Sequence, residues 1–303
     1  MHGLTRREFA AALPPLAVVA AQGQTKTARF VKGVCAGIFP REMPYADRCR
    51  KAKNAGFDAI EIPLSGELSL SSTPDQLKRL GEAADRAGVK VASLWVSPLS
   101  DVPLNSSDPQ IRERGIEAIN KAVEFATYLD CGALLVVPGR VGSGARFNIG
   151  YETTWKRISV ELPKAIPAAQ SAKVLLTLEN VSNRFLVSPL EMRAFVDQFK
   201  SPWLQVHFDI GNVMYFGYPE DWILTLGERI QRIHLKDRKV SPSAEAASRS
   251  GLLEGDVDWK AVMAALVKVN YRGFMCAEID HDPSNPSHLA DVSAAVDKIL
   301  TMA

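Results

Sequence analysis

Four side chains in the second half of the chain are of types that can share one metal ion: Glu179, Asp209, His234 and Glu278. Each ends a short apolar run, LTLEN, HFDIGN, IHLKD and AEI. A charge at the end of such a run must be paired or bound to a cation. Three carboxylates and one imidazole make a mostly oxygen site. That suits one divalent ion, Mn2+ first and Mg2+, Co2+ or Zn2+ as alternatives, better than a thiolate-loving metal. The chemistry such a site supports is proton removal beside a carbonyl, with a divalent ion stabilising the enediolate that forms. Two glutamates on opposite sides of a substrate could share that work. One takes the proton; the other returns one to the opposite face (epimerisation) or to the neighbouring carbon (isomerisation).

These residues need elements that bring four strand ends to one height. After about residue 28, short β-rich runs alternate with longer helical stretches. Strands are expected over 30–36, 58–64, 89–96, 133–137, 174–179, 204–210, 232–235 and 274–279. Helices are expected over 45–54 (closed by Gly56), 74–88, 109–129, 151–172, from Pro189, over 221–226, from an Asp258 cap to 269, and at the end of the chain. Eight strand–helix units without a composition break predict an α/β fold, a single (β/α)8 TIM barrel over 29–303. A doubly wound sheet needs a phosphate-binding Gly-rich turn after an early strand. Residues 36–40, AGIFP, do not supply one.

Barrel active sites form at the C-terminal ends of the strands. Side-chain alternation adds a constraint. If Asp209 points inward, so does His207, as a hydrogen-bonded interior residue rather than a ligand; Lys236 likewise joins His234. Trp95 ends the third strand, where it can wall a sugar ring or simply pack. Glu61 on the second strand is expected to pair with a buried cation such as Arg232, with substrate contact as the alternative. Glu254, in the segment 251–256, either lines the pocket or belongs to turn chemistry before Asp258. The small, polar stretch 241–250 reads as a mobile excursion at the rim. The loop 280–286, DHDPSNP, has no glycine and carries negative charge, which argues against a phosphorylated substrate.

The runs LTLEN, HFDIGN, IHLKD and EGDVDW, followed by AEI, resemble the xylose isomerase-like barrel superfamily, in its sugar phosphate isomerase/epimerase branch. The resemblance spans nearly all of the chain after the first residues and is strongest over 174–280. It implies that Glu179 and Glu278 both bind the metal and exchange substrate protons, with Asp209 and His234 as the other ligands. The ketose epimerases of that family carry a substrate-binding histidine three residues after the Asp ligand; here that position is Asn212. Arg238 is placed to stand in for the family's substrate-binding arginine, at a shorter offset from His234.

The remaining features bound the function. Hydrophobic residues make up 47% of the 303 and charged residues 23%, enough for a large core. A net charge of +2, without a basic stripe, argues against nucleic acid as a partner. Cys35, Cys49, Cys131 and Cys276 form no CxxC pair and read as buried thiols. Thr5, Arg6, Arg7, Glu8 and Phe9 fit a twin-arginine export signal. An apolar run over 10–21, too short for a membrane span, and small residues Val19 and Ala21 before Gln22 follow it. Residues 1–28 are therefore expected to be signal and linker, and the protein periplasmic, acting on a small carbohydrate, with homo-oligomerisation left open. Three other functions compete. A lyase or deglycosidase acting on keto-glycosides by β-elimination shares the opening step. A multi-zinc nuclease needs more than the five histidines present. A carbohydrate-binding protein would not need two proton-transfer glutamates.

Overall fold

Runs such as Ala-Leu-Leu-Val at 133–136 are buried on both faces, so they become interior strands of a sheet covered by helices. In the computed structural model, which describes residues 29–142, 148–240 and 248–303, eight such strands close into a parallel barrel. They are β1 (Phe30–Cys35), β2 (Ala59–Pro63), β3 (Lys90–Trp95), β4 (Ala133–Val136), β5 (Leu175–Glu179), β6 (Leu204–Asp209), β7 (Ile230–Leu235) and β10 (Gly273–Ala277). Closure comes from β1, which pairs with β2 on one side and β10 on the other. Two short antiparallel strands, β8 (Asp237–Lys239) and β9 (Ser248–Ser250), form a ribbon after β7. The expected signal and linker, 1–28, and positions 241–247 of the expected excursion lie outside the described residues; positions 248–250 are strand, not excursion.

Helices α1 (Tyr45–Asn54), α2 (Pro74–Ala87), α3 (Pro109–Tyr128), α4 (Tyr151–Glu161), α5 (Ile166–Ala172), α6 (Pro189–Asp197), α7 (Pro219–Leu226), α8 (Trp259–Lys268) and α9 (His288–Leu300) surround the strands. Local chemistry sets their ends. Thr73 and Gln76 form a reciprocal capping box at α2, and Gly88 closes that helix in the left-handed region at φ 70°. Asp258 caps α8 by accepting from the Ala261 N–H. The expected single helix over 151–172 is instead α4, a 3-10 turn over Leu162–Ala165, and α5. Pro163 and Pro167 remove backbone donors there, so one continuous ladder cannot form.

The main core lies between strands and helices. Phe57, Leu77, Phe195, Phe208 and Trp222 are fully buried in it, with Phe208 of β6 stacked on Trp222 of α7. Burial of each such side chain contributes about 1.5–3 kcal/mol. The barrel interior is different: Cys35, Ala59, Ala92 and Cys276 form a small cluster of their own. Gly33 belongs to this packing, since a Cβ there would stand 2.5 Å from the Cys276 sulfur. Small residues in the barrel interior leave room there for polar side chains. All four cysteines are free and buried.

Candidate metal centre and active-site cavity

Period-two alternation turns Glu179, Asp209 and His234 inward from the ends of β5, β6 and β7. Register aligns them: Glu179 lies beside His207, and Asp209 beside His234. Glu278 follows β10 directly, its N–H bonded to the Leu235 carbonyl. Asn180 locks β5 to β6, because its amide both donates to the Asp209 carbonyl (2.8 Å) and accepts from the Asp209 N–H (2.9 Å). Gly211 lets Lys236 pass; a Cβ there would lie 2.8 Å from Lys236 Cγ. The four sequence-predicted ligands converge: one donor atom from each lies within 4.8 Å of all the others.

His234 presents a different nitrogen to each side. Nδ1 faces the carboxylates, 3.1 Å from Glu179 Oε1, 3.1 Å from Glu278 Oε2 and 3.8 Å from Asp209 Oδ2. Nε2 faces down the barrel, 3.0 Å from Glu61 Oε1 and 3.5 Å from Cys35 Sγ. A neutral ring that donates Nε2–H to Glu61 aims the Nδ1 lone pair at three acidic oxygens. That arrangement needs positive charge between them, either a proton or a metal ion. Lys236 supplies part of it: its ammonium lies 2.8 Å from Asp209 Oδ2 and in close contact with Glu278. Even so, Asp209 Oδ2 and Glu278 Oε2 accept no aligned hydrogen bond among the described residues. Buried acceptors left in this state, together with the hard oxygen-rich donor set, fit a divalent cation.

Burial shifts the titrations in the metal-free cage. It pushes Glu179 up to about 7; the His234 hydrogen bond and charge oppose this, and the neighbouring Glu278 and Asp209 charges reinforce it. Burial also disfavours charge on Glu278, but the His234 and Lys236 cations outweigh it and hold this carboxyl well below its usual range. A cation entering the cage must therefore displace a proton from Glu179 below about pH 7. Against burial, the Glu61 charge holds His234 protonated well above its usual range, so its Nδ1 proton must leave as well; affinity for Mn2+ is expected to fall at least tenfold per pH unit as pH drops, and more steeply below about 7. Mn2+ titrations from about pH 5.5 to 8.5, with proton release counted, check this. A pH-independent affinity without proton release would remove Glu179 from the cage.

The other expected site residues divide between two cavities. One, of about 380 Å³, is lined by Trp95, Glu179, Asn212, Lys236, Arg238 and Glu278, with Arg140 and Arg184 on its wall. That is the small end of the ~300–1,000 Å³ range of ligand sites, and suits a monosaccharide. Trp95 is 39% exposed and faces this space. The Asn212 amide is engaged at both ends: it accepts from Arg238 Nη2 (3.0 Å) and donates to the Asn180 carbonyl (3.1 Å). Glu254 lines the neighbouring cavity with the acidic loop 280–282; Glu278 and Lys236 border both cavities.

Two expectations are corrected. Glu61 does not pair with Arg232. It bonds His234 Nε2 and Ser93 Oγ, while Arg232, one inward position earlier on β7, donates to the Ala92 carbonyl and covers the Phe274 ring at 4.9 Å. His207 is interior, but neither ring nitrogen has a hydrogen-bond partner among the described residues. Glu61 Oε2 lies 3.7 Å from its Nε2, and burial keeps the ring neutral. The sequence reading also missed Asn180 as a strand lock and Asp237 as a clasp. The Asp237 carboxylate accepts from Leu253 N, Val257 N and the Trp259 indole, tying the 251–257 segment to α8. The only signal for it was a charge in the run IHLKD.

The Xylose isomerase-like TIM barrel model matches residues 49–298. The chain belongs to that family. Its curated relatives include the L-ribulose-5-phosphate 3-epimerase UlaE of Escherichia coli O1:K1, 28% identical over 276 residues, which covers 84% of this chain and 91% of the relative. Among solved structures, a D-tagatose 3-epimerase-like protein superposes with a TM-score of 0.75 at 22% identity, over 91% of this chain and 98% of that one. The 3-keto-D-glucoside 4-epimerase YcjR of E. coli superposes at 0.69 with 16% identity, over 91% and 100%. This member of the xylose isomerase-like family thus shares its fold, over about nine tenths of its length, with these structures.

Proposed function

We propose that this chain is a metal-dependent sugar epimerase or isomerase. The cage would hold Mn2+, or another divalent ion, with Glu179, Asp209, His234 and Glu278. The observation that carries the reading is the pair of glutamates, each with an oxygen 3.1 Å from one imidazole nitrogen and both bordering a monosaccharide-sized cavity. Bound there, a divalent cation supplies positive charge for the substrate oxygens that become negative as the neighbouring C–H proton leaves. Glu179, held ionised once a cation lies beside it, would take that proton near neutral pH. Glu278, more open at 37% side-chain exposure and held ionised by Lys236, exchanges the proton on the other face. Trp95 walls the sugar, and Asn212 holds Arg238 at the cavity wall. Glu254, beyond Glu278, contacts only a longer substrate. Residues 1–28 would act as a twin-arginine signal that sends the barrel, 29–303, to the periplasm.

Export and the acidic loop after β10 favour a non-phosphorylated sugar. A second reading, a phosphorylated ketose, draws support from Arg140 and Arg184 on the cavity wall and from the relatives named as ribulose-5-phosphate epimerases. Neither the cavity nor the relatives favour β-elimination. The test is incubation of Mn2+-loaded protein in D2O with neutral ketopentoses and ketohexoses, with their phosphate esters and with 3-keto-glycosides. Deuterium beside the carbonyl together with an epimer or aldose is the expected result. Higher kcat/KM on the esters, lost in Arg140→Ala and Arg184→Ala, would select the second reading. No exchange on any of them would sink the proposed chemistry.

A further inference from the structure

Glu61 lies on the second strand, outside the ring of four strand ends that make the cage. It is 5% exposed, and a carboxylate that buried must be held by donors. Three groups hold it. Ser93 Oγ of β3 donates a short hydrogen bond to Oε2, the Cys35 thiol of β1 lies 3.6 Å from Oε1, and His234 Nε2 lies 3.0 Å from that same oxygen. Burial raises the Cys35 thiol well above its ordinary range, so it stays neutral and acts as a donor. The three strands β1, β2 and β3 are neighbours in register, with Cys35 beside Glu61 and Glu61 beside Ser93. Together they form one side of the barrel reaching across to β7.

We propose that Glu61, clamped by Ser93, is a positioning residue that fixes His234 with its Nε2–H pointing down the barrel and its Nδ1 lone pair in the metal cage. This rests on the four-residue cage of the proposed function. A neutral imidazole carries one proton, and a ligating nitrogen must have none. With an anionic acceptor 3.0 Å from Nε2, the proton resides there and leaves Nδ1 open. Without that acceptor the proton favours Nδ1, which faces the oxygens of Glu179, Glu278 and Asp209. The tautomer that fills the cage with hydrogen would then compete with the metal. Ser93 matters because it occupies the other oxygen of Glu61, so the carboxylate cannot turn away.

Glu61→Gln tests this at nearly constant volume. A glutamine can donate its NH2 to Nε2 and so stabilise the wrong tautomer. Mn2+ affinity of the full chain is expected to fall about 10–100-fold, the usual cost of losing such an outer partner. Ser93→Ala is expected to lose several-fold, with the circular dichroism of both variants unchanged. Independent of any variant, the 15N spectrum of wild-type protein loaded with diamagnetic Zn2+ should show a slowly exchanging Nε2–H on a ring ligated through Nδ1. That measurement stands even where Glu61→Gln does not fold. Wild-type affinity in Glu61→Gln, or a proton on Nδ1 in the loaded protein, overturns the proposal while leaving the cage intact. Two ions bound per chain would also overturn it, because Cys35, Glu61 and His234 Nε2 would then be ligands themselves. A wild-type chain that binds no divalent ion fails the proposed function first.

Discussion

Glu179→Gln is expected to lower turnover of an accepted ketose by about 10²–10⁴-fold, the range lost with a general acid–base group. The substitution keeps shape and removes both the exchangeable proton and one ligand charge. Burial pushes this carboxyl up to about 7 in the metal-free cage, and a bound cation would lower it, so in the loaded protein it is ionised and able to accept a proton near neutrality. Two effects must be separated. Loss of metal affinity is overcome by raising Mn2+; loss of the base is not. Turnover and solvent deuterium wash-in, both measured at saturating Mn2+, report the second effect. Deuterium exchange at the wild-type rate in the saturated variant would assign the base to another residue.

Metal removal is the second large effect. A cation that binds only the folded cage stabilises it by mass action, about 4 kcal/mol when free metal exceeds Kd a thousandfold. Chelation of the loaded protein should therefore remove a stabilisation of that order along with turnover. Both return on adding Mn2+. Asp209→Ala should erase this increment, because the lost ligand is fully buried and the cluster it belongs to holds only three other donors among the described residues. The comparison of loaded and chelated protein within each variant matters more than either value alone. Removing Asp209 also takes a partner from the buried Lys236 ammonium and from the Asn212 N–H, which lowers the chelated baseline. Denaturant unfolding with and without Mn2+ checks the increment. An equal increment in wild type and Asp209→Ala would place the ion elsewhere.

The two corrected residues show where local patterns stop carrying information. Alternation correctly turned His207 and Lys236 inward, because the two-residue repeat of a strand is a property of the chain itself. Alternation says nothing about which inward residues share a layer. Glu61 and Arg232 were paired as opposite charges, yet Arg232 sits lower and finds a backbone carbonyl instead. Likewise, the single helix expected over 151–172 has the right apolar pattern, but two prolines interrupt its hydrogen-bond ladder.

The amino-acid sequence alone determined the order of strands and helices, the residues at the strand tips and the chemical type of a site built from them. Each of these follows from neighbours a few positions apart. Tertiary structure decided which nitrogen of His234 faces the carboxylates, which cavity each polar side chain lines and what holds the ring in place. Glu61 and His234 stand 173 positions apart and meet only because the barrel closes. Contacts across a closed sheet depend on register and layer height, which are set by all the strands together rather than by any one of them.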